Sequence, residues 1–337
     1  MLRISAIIPS HNNASDLRRC LAALQAEGMD GLEVIVVDDA SSDDTPSAPA
    51  QFGAKALALK ENAGPAAARN LGARHASGDI LWFLDADVEA RPGTARLVRD
   101  FFEENPEAAA VIGSYDDEPS APNACSQFKN LFHHFVHQSA GPRSSSFWCG
   151  CGAVRRTVFE EVGGFDSAHW RKPMIEDIHF GYTLTHRGHS IHVLKALRVR
   201  HNKRWTVGSL IKTDIFHRAV PWTALLLRHH GVGRNELNLA WAYRASVVCV
   251  YLAAAAAVAG FAWPAAWAAA PLFLAAVIAL NHSLVRFFRR KRGWAFLPAA
   301  IPLLWLYFFY CGVGFALGVA RFGRQGWEAR RKRGPAT

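Results

Sequence analysis

Four short apolar runs open this chain, and three of them stop abruptly at polar or acidic residues; no other feature narrows the fold as much. Ile4 to Pro9 ends at Pro9-Ser10-His11-Asn12, Glu33 to Val37 at Asp38-Asp39, and Ile80 to Leu84 at Asp85-Ala86-Asp87, with Ala56 to Leu59 as the fourth run. Runs this short and this continuously apolar suit strands buried on both faces of a parallel sheet. Between them the period changes. Leu17, Leu21 and Leu24 share one helical face over Asp16 to Ala26. Gly64-Pro65 opens an alanine-rich helix reaching Ala76, with proline at a tolerated early position. Ser41-Ser42-Asp43-Asp44-Thr45 reads as a turn and helix cap. Strands and helices alternating through short links predict the α/β class and a doubly wound sheet. Ligands gather at the carboxyl ends of such strands. The topology therefore brings the loops after the first, second and fourth runs to one edge.

Beyond Pro92 the pattern predicts a helix over Thr94 to Glu104, a strand over Ala110 to Ser114, and then a loop-rich half. That half holds a helix from Arg155 to Val162, a turn at Gly163-Gly164-Phe165-Asp166 and an amphipathic helix from Glu176-Asp177 to Arg187. A strand from His192 to Val199 leads to His201. His133, His134 and His137 fall on a helical stretch and are expected at a surface or interface. Of the six cysteines, Cys149 and Cys151 lie in a Cys-Gly-Cys-Gly stretch with no second pair at zinc spacing. Reduced thiols in a cytosolic loop are expected there.

From about Trp241 the composition turns to long runs of Ala, Leu, Val, Phe and Trp. Three segments, near Tyr243–Ala262, Pro264–Val285 and Phe296–Ala320, approach the roughly 20 residues a helix needs to cross a bilayer. The last is broken by Pro298, Pro302 and several glycines, so it is either a third span or a re-entrant or interfacial segment. The net charge is +10, and the excess lies beside these runs, at Arg286, Arg289 to Arg292, and Arg321 to Arg333. Cations placed there point to an anionic membrane surface and away from nucleic acid. No signal peptide is expected ahead of the first strand. The expected organisation is a cytosolic catalytic domain over residues 1–235, a membrane region of two or three hydrophobic helices over 236–322, and a basic tail over 323–337. The protein would be a multi-pass membrane protein with its catalytic domain on the cytoplasmic side.

Asp85-Ala86-Asp87 would project two carboxylates into a cleft. Mg²⁺ or Mn²⁺ takes such oxygen ligands and bridges them to substrate phosphates, and a diphosphate leaving group needs that neutralisation. A solvated turn is the plain alternative. Asp38 and Asp39 would accept hydrogen bonds from a base or ribose, or else cap a turn with Ser41. Asn62, Gly64, Arg69 and Asn70 combine a helix start, which attracts phosphate, with a cation able to bind it bidentately; a plain packing helix is the other reading. Glu176 and Asp177 suit acid–base work on a hydroxyl acceptor, or compensation of a helix dipole. His201 could complete a metal sphere through a neutral imidazole.

As a set, these segments resemble the family-2 glycosyltransferases of GT-A fold. The matching pieces are Ile7-Ile8-Pro9-Ser10-His11-Asn12, Val36-Val37-Asp38-Asp39-Ala40-Ser41, Asn62 to Asn70, Phe83-Leu84-Asp85-Ala86-Asp87, Val162 to Asp166 and Glu176-Asp177. The resemblance implies a mixed doubly wound sheet followed by C-terminal membrane helices. It implies a nucleotide-diphospho-sugar donor held by Pro9, Ser10, His11, Asn12, Asp38 and Asp39, with Arg69 near it. Asp85 would lie towards ribose and metal, Asp87 would be the firmer metal ligand, and Asp177 would be the base for inverting transfer. The chain departs from the pattern at Thr183, where the family commonly carries Arg. It departs again at His201-Asn202-Lys203-Arg204-Trp205, where processive synthases carry Gln-x-x-Arg-Trp. The expected reaction is single-sugar transfer to a lipid or lipid-linked acceptor. A processive polysaccharide synthase, a nucleotidyltransferase and a non-catalytic membrane scaffold are the rivals.

Overall fold

The computed structural model describes residues 1–28, 31–228 and 240–333, with side chains as far as Arg324. The chain divides into two compact units, Met1–Pro122 with His133–Arg204, and Asn123–Phe132 with Trp205 onward. The expected boundary at 235/236 and the last residues of the basic tail, 334–337, lie outside the described residues.

In the first unit one sheet holds β1 (Ile4–Ser10), β2 (Leu32–Asp38), β3 (Lys55–Ala58), β4 (Ile80–Leu84), β5 (Val88–Ala90), β6 (Ala110–Tyr115), β7 (Arg143–Ser144), β8 (Cys151–Arg155) and β9 (Ile191–His201). Its order is β3-β2-β1-β4-β8-β6-β9-β5, with β7 against β9. The helices are α1 (Ala14–Ala26), α2 (Pro65–Arg74), α3 (Thr94–Glu104), α4 (Ala124–Ser139), α5 (Arg156–Val162) and α6 (Glu176–His186), α4 running across the division between the units. β1 pairs in parallel with β2 on one side and β4 on the other, and β2 with β3. The strand order therefore reverses between β1 and β4, which is where such sheets open a ligand crevice. The register sets Ser10 opposite Asp38, so the carboxyl ends of β1 and β2 finish level.

The other half of the sheet is mixed. β8 runs antiparallel between β4 and β6, so Cys151 belongs to a central strand and not to the loop the sequence reading expected. Cys149 and Cys151 are free thiols and both are buried. The short β5 pairs antiparallel with β9 in a register that sets Val88 opposite His201. The Asn202 amide then donates to the Asp87 carbonyl at 2.9 Å. A residue far along the chain is thus delivered beside the Asp85–Asp87 loop by backbone pairing alone.

Alternation along β4 sends Trp82 and Leu84 into one core layer with Ile4, Leu17, Leu21, Val98 and Phe102. Phe83 points the other way. Its ring lies 5.5 Å from Phe159, 5.1 Å from Phe165 and 6.3 Å from Phe147. Phe180 closes this aromatic cluster at 4.7 Å from Phe165. Each such pair adds about 0.5–1.5 kcal/mol beyond its buried area. The cluster fastens α5, the Gly163-Gly164 turn and the start of α6 to the sheet, and so fixes where Glu176 and Asp177 begin.

The histidines of α4 correct another expectation. His134 and His137 are buried, because the end of α4 lies along β6. Their Nδ1 atoms sit 2.7 Å from the Tyr115 carbonyl and 2.9 Å from the Gly113 carbonyl, each placed to donate. Burial lowers the His137 pKa to about 4, so the ring is neutral. His133, half-buried, stacks on His137 at 4.1 Å.

The second unit contains α7 (Val207–Lys212), a π-helical stretch over Thr213–Ala219, α8 (Val220–Arg228), α9 (Trp241–Ala259), α10 (Ala269–Leu280), α11 (His282–Arg292) and α12 (Leu297–Arg333). Two helical stretches, Trp241–Ala259 and Trp294–Arg324, are long and apolar enough to cross a membrane. The interrupted segment is the second one: Pro264–Leu280 and His282–Arg292 are bent by 73° at their junction. There Asn281 Nδ2 donates to Ser246 Oγ at 2.7 Å. The segment expected to be broken is a single helix. Pro298 falls in its first turn, where the missing amide has no helical acceptor to lose. Gly312 and Gly318 serve close packing. A Cβ at Gly312 would meet the Tyr251 ring at 2.3 Å, and at Gly318 the Thr223 Cβ at 2.5 Å. Asp214 in the π-helical stretch accepts from Lys129 Nζ at 2.7 and 2.6 Å and from the Tyr310 hydroxyl at 2.7 Å.

Candidate active site

The carboxyl edge of the parallel strands gathers most of the residues singled out in the sequence, but it uses them in two ways. Several are consumed by the scaffold. Asn12, at a φ of 50°, receives the Ser42 amide on its Oδ1 at 2.8 Å, while its own amide donates to Ser41 Oγ at 2.9 Å. It therefore staples the loop after β1 to the loop after β2. His11 Nδ1 lies 2.8 Å from the Asp39 carbonyl in the same seam. The Asp39 carboxylate accepts the backbone amides of Ala63 and Gly64 at 2.8 and 2.9 Å, the donors expected to greet a phosphate. Asp38 accepts the Ser41 amide through both oxygens at 3.2–3.3 Å. Asn70 spends its side-chain amide on Phe165, donating to the carbonyl at 2.8 Å and accepting the amide at 3.0 Å. It ties α2 to the turn before α6.

Arg69 is buried rather than extended towards a ligand. Its two terminal nitrogens bind Asp85 Oδ1 at 2.8 Å and Glu176 Oε1 at 2.9 Å. Burial works against its charge, but the surrounding acids outweigh burial and its pKa is raised. Glu176 accepts the Met174 amide on its other oxygen at 2.9 Å.

The remaining groups offer themselves to the crevice. Asp85 and Asp87 are half-buried, with a third and a fifth of their side chains exposed. Burial raises the Asp85 pKa against the pull of Arg69. Burial also pushes on Asp87, yet His201 and Lys203 more than offset it and leave Asp87 lowered, hence ionised. His201 Nε2 stands 3.6 Å from Asp87 Oδ2. Its ring is stacked on Tyr115, centroids 4.0 Å apart and 9° from parallel. Among the described residues no three His, Cys, Asp or Glu side chains converge as a ready cation cage: Asp85 is drawn to Arg69, and Asp87 to His201. Ser10 Oγ is buried without a hydrogen-bond partner, and Pro9 and exposed Asn62 complete the rim.

Asp177 opens α6 half-buried. Burial, then the neighbouring Glu176 charge, push its carboxyl up to about 7, against the pull of Arg69. Its Oδ1 accepts the Ile178 amide at 2.7 Å, and its Oδ2 lies 3.4 Å from the Cys149 amide. A carboxyl poised near neutrality can take up and release a proton under ordinary conditions. The sequence reading passed over Tyr115 and the Cys149 amide. Only the Cys-Gly-Cys-Gly stretch hinted at close backbone approach, and nothing local marks Tyr115.

The sheet's order reverses at an acidic carboxyl edge, as in the GT-A class of fold, and helices long and apolar enough to cross a membrane follow it in the chain. A mannosyltransferase from Pyrobaculum calidifontis, solved in complex with GDP-Man and Mn²⁺, shares it with a TM-score of 0.56 over 94% of this chain and 87% of that one, at 20% identity. Residues 5–163 match the model of the family described as Glycosyl transferase family 2. Among curated relatives, the pre-mycofactocin glycosyltransferase of Mycobacterium tuberculosis H37Rv is 29% identical over 239 residues, covering 67% of this chain and 48% of that protein. Glycosyltransferase AglE of Haloferax volcanii is 29% identical over 198 residues, covering 54% and 63%. The chain thus spans about half to three-fifths of the length of these relatives.

Proposed function

We propose that this protein transfers a single sugar, with inversion, from a nucleotide-diphospho-sugar to a lipid-linked or membrane-associated acceptor, with Asp177 as the base. The observation that carries the reading is the Asp177 carboxyl, pushed to about 7 beside the acidic edge of a family-2 domain. Asp177 takes the acceptor hydroxyl proton as that oxygen attacks the anomeric carbon on the face opposite the leaving diphosphate. Pro9, Ser10, His11 and Asp38 line the nucleotide end, the unpartnered Ser10 Oγ offering a polar contact. Asn12, Asp39 and Asn70 shape that end from behind.

The donor set fits a hard divalent ion, Mg²⁺ or Mn²⁺. Asp87 would hold it with Asp85, which suits an ion that takes one or two carboxylates plus substrate phosphates, and His201 would support Asp87. Such an ion supplies neutralisation of the leaving diphosphate. The Mn²⁺ and GDP-Man of the Pyrobaculum relative support this assignment. We place the protein in a membrane as a multi-pass chain, with residues 1–235 on the cytoplasmic side. The cations of α11, where Arg289 lies over the Trp294 ring at 4.7 Å, would rest against anionic head groups. Holding the cleft at the bilayer raises the local concentration of a lipid acceptor.

The test uses the purified full chain in nanodiscs with membrane lipid extract, GDP-mannose, UDP-glucose or UDP-N-acetylglucosamine, and Mn²⁺ or Mg²⁺. Release of a nucleoside diphosphate and a product one sugar heavier are expected, both lost in Asp87→Ala and Asp177→Asn. Wild-type transfer by both variants sinks the site assignment. Long polymer would indicate a processive synthase, and pyrophosphate a nucleotidyltransferase.

A further inference from the structure

We propose that Arg69 is a positioning residue that clamps the acidic loop after β4 to the start of α6, and is not a ligand of the donor phosphates. The inference rests on the reading of Asp177 as the base. Arg69 stands within α2, 4% exposed, with one terminal nitrogen on Asp85 and the other on Glu176. These acids come from loops distant in sequence, and no other described side chain joins them. The fork of a guanidinium is what allows it: two nitrogens diverge in one plane, where an ammonium offers a single point charge. Phe165 lies beneath the guanidinium, 5.7 Å from its centre, and Phe165 is itself tied to α2 through Asn70. The remaining Nε is buried without a partner, so a phosphate could reach it only by dismantling the clamp.

The arrangement sets both position and charge. Glu176 has no spare oxygen, since Arg69 and the Met174 amide take both, so α6 begins at a fixed point and Asp177 follows one residue on. The charged groups facing Asp177 are Glu176 on its own helix, Arg69 from α2 and Asp85 after β4, with the Cys149 thiol close by. One cation balances three carboxylates. Removing it leaves Glu176 buried without a cation and takes from Asp177 the neighbouring charge that favours its ionised form.

The experiment compares Arg69→Met and Arg69→Lys in the full chain by three measurements: the pH profile of kcat/KM for whichever of the three donors turns over, the donor KM, and donor-free hydrogen exchange of residues 84–88 and 173–178. For Arg69→Met the acidic limb should move up by about one pH unit, giving roughly fivefold lower kcat/KM at pH 7 that recovers at higher pH. Donor KM should stay within about twofold, and exchange should rise in both segments. Arg69→Lys, able to hold one acid, should restore the limb in part but leave one segment exchanging fast; it carries the test alone if Arg69→Met does not fold. A KM raised about tenfold or more, with the limb and both segments unchanged, overturns the clamp and makes Arg69 a phosphate ligand. Wild-type exchange in Arg69→Lys at both segments overturns it as well. A fully active Asp177→Asn, by contrast, would refute the base and leave the exchange result standing.

Discussion

Gly64 sits where the donor edge, α2 and the loop before α6 meet, and its replacement by alanine tests that junction quantitatively. Its backbone, at φ 88° and ψ 166°, lies in a region essentially reserved for glycine, which costs a side-chain-bearing residue about 1–3 kcal/mol. A Cβ would also stand 2.5 Å from the Arg171 carbonyl oxygen and 2.7 Å from its carbon. That obstacle is backbone and cannot rotate away, so overpacking adds about 1–3 kcal/mol. The total is about 2–6 kcal/mol. At roughly 2–4 °C per kcal/mol for a unit of this size, Gly64→Ala should melt about 4–24 °C below the parent. Gly93→Ala is the internal control. It shares a positive φ of 84° but has nothing within 4 Å, so it meets strain alone, about 1 kcal/mol and roughly 2–4 °C. The assay is thermal unfolding of the full chain in detergent, repeated with GDP-mannose and Mn²⁺. Displacing Gly64 also disturbs the amide that Asp39 accepts, so any shift produced by nucleotide should shrink. Equal melting of the two variants would refute the close approach of Arg171.

The Asp177 carboxyl is raised to about 7, so below that pH it is protonated and cannot accept a proton. The kcat/KM of transfer should fall about tenfold per pH unit below 7 and level off above it, and a flat profile between about pH 5.5 and 8 removes Asp177 from the base role. The same shift has a stability sign: between the ordinary carboxylate pKa and about 7 the folded state binds more protons than the unfolded one, so this group's contribution falls as pH rises through that window, and Asp177→Asn should flatten the slope of melting temperature against pH. In the helical unit, Lys129→Met takes the nearest cation from buried Asp214, leaving Arg218 at 3.7 Å and the Tyr310 hydroxyl, and should cost about 3 kcal/mol, much of it recovered when Asp214→Leu is added. Detergent melting of the two single variants and the double variant checks this, and additive losses would show the pair to be uncoupled.

The parallel half of the sheet was legible because its cause is local. Ile80–Leu84 is continuously apolar and bounded by acids, and its strand has the limits the pattern predicts. The same holds for α3, over Thr94–Glu104. β8 was missed because Cys151–Arg155 is short and follows glycines, and only its neighbours β4 and β6 make it a strand. The buried histidines of α4 failed for a related reason: side chains that usually prefer water are held by carbonyls of β6, which no helical period reveals. Composition located the apolar segments, but prolines and glycines misdirected the choice of the interrupted one. A glycine facing Tyr251 packs a helix as well as a glycine in a loop breaks one, and the difference lies in the partner. In the site, residue types were readable and their obligations were not. Asp39 and Asn70 look like ligands in sequence, and in space both are already bound by backbone.

That partition has a consequence for how the site works. Asn12, Asp39, Asn70, Glu176 and Arg69 satisfy one another or nearby backbone, and the Asn12–Ser42, Asp39–Ala63, Asn70–Phe165, Arg69–Glu176 and Arg69–Asp85 bonds each join a different pair of segments. The groups left partly exposed, Asp85, Asp87 and Asp177, are carboxylates, and each is steered by a neighbour: Arg69 on Asp85, His201 on Asp87, Glu176 on Asp177. Like charges gathered in one crevice repel, and a site with no bound cation must bear that repulsion through its scaffold. Arg69 offsets part of it from behind while leaving the front of the crevice negative. A dianionic diphosphate would then enter poorly without a divalent ion, whereas an ion and a donor together would neutralise the crevice. On the proposed assignment of Mg²⁺ or Mn²⁺ to Asp87 and Asp85, the ion would bind before the donor, because a crevice left negative attracts the first and repels the second.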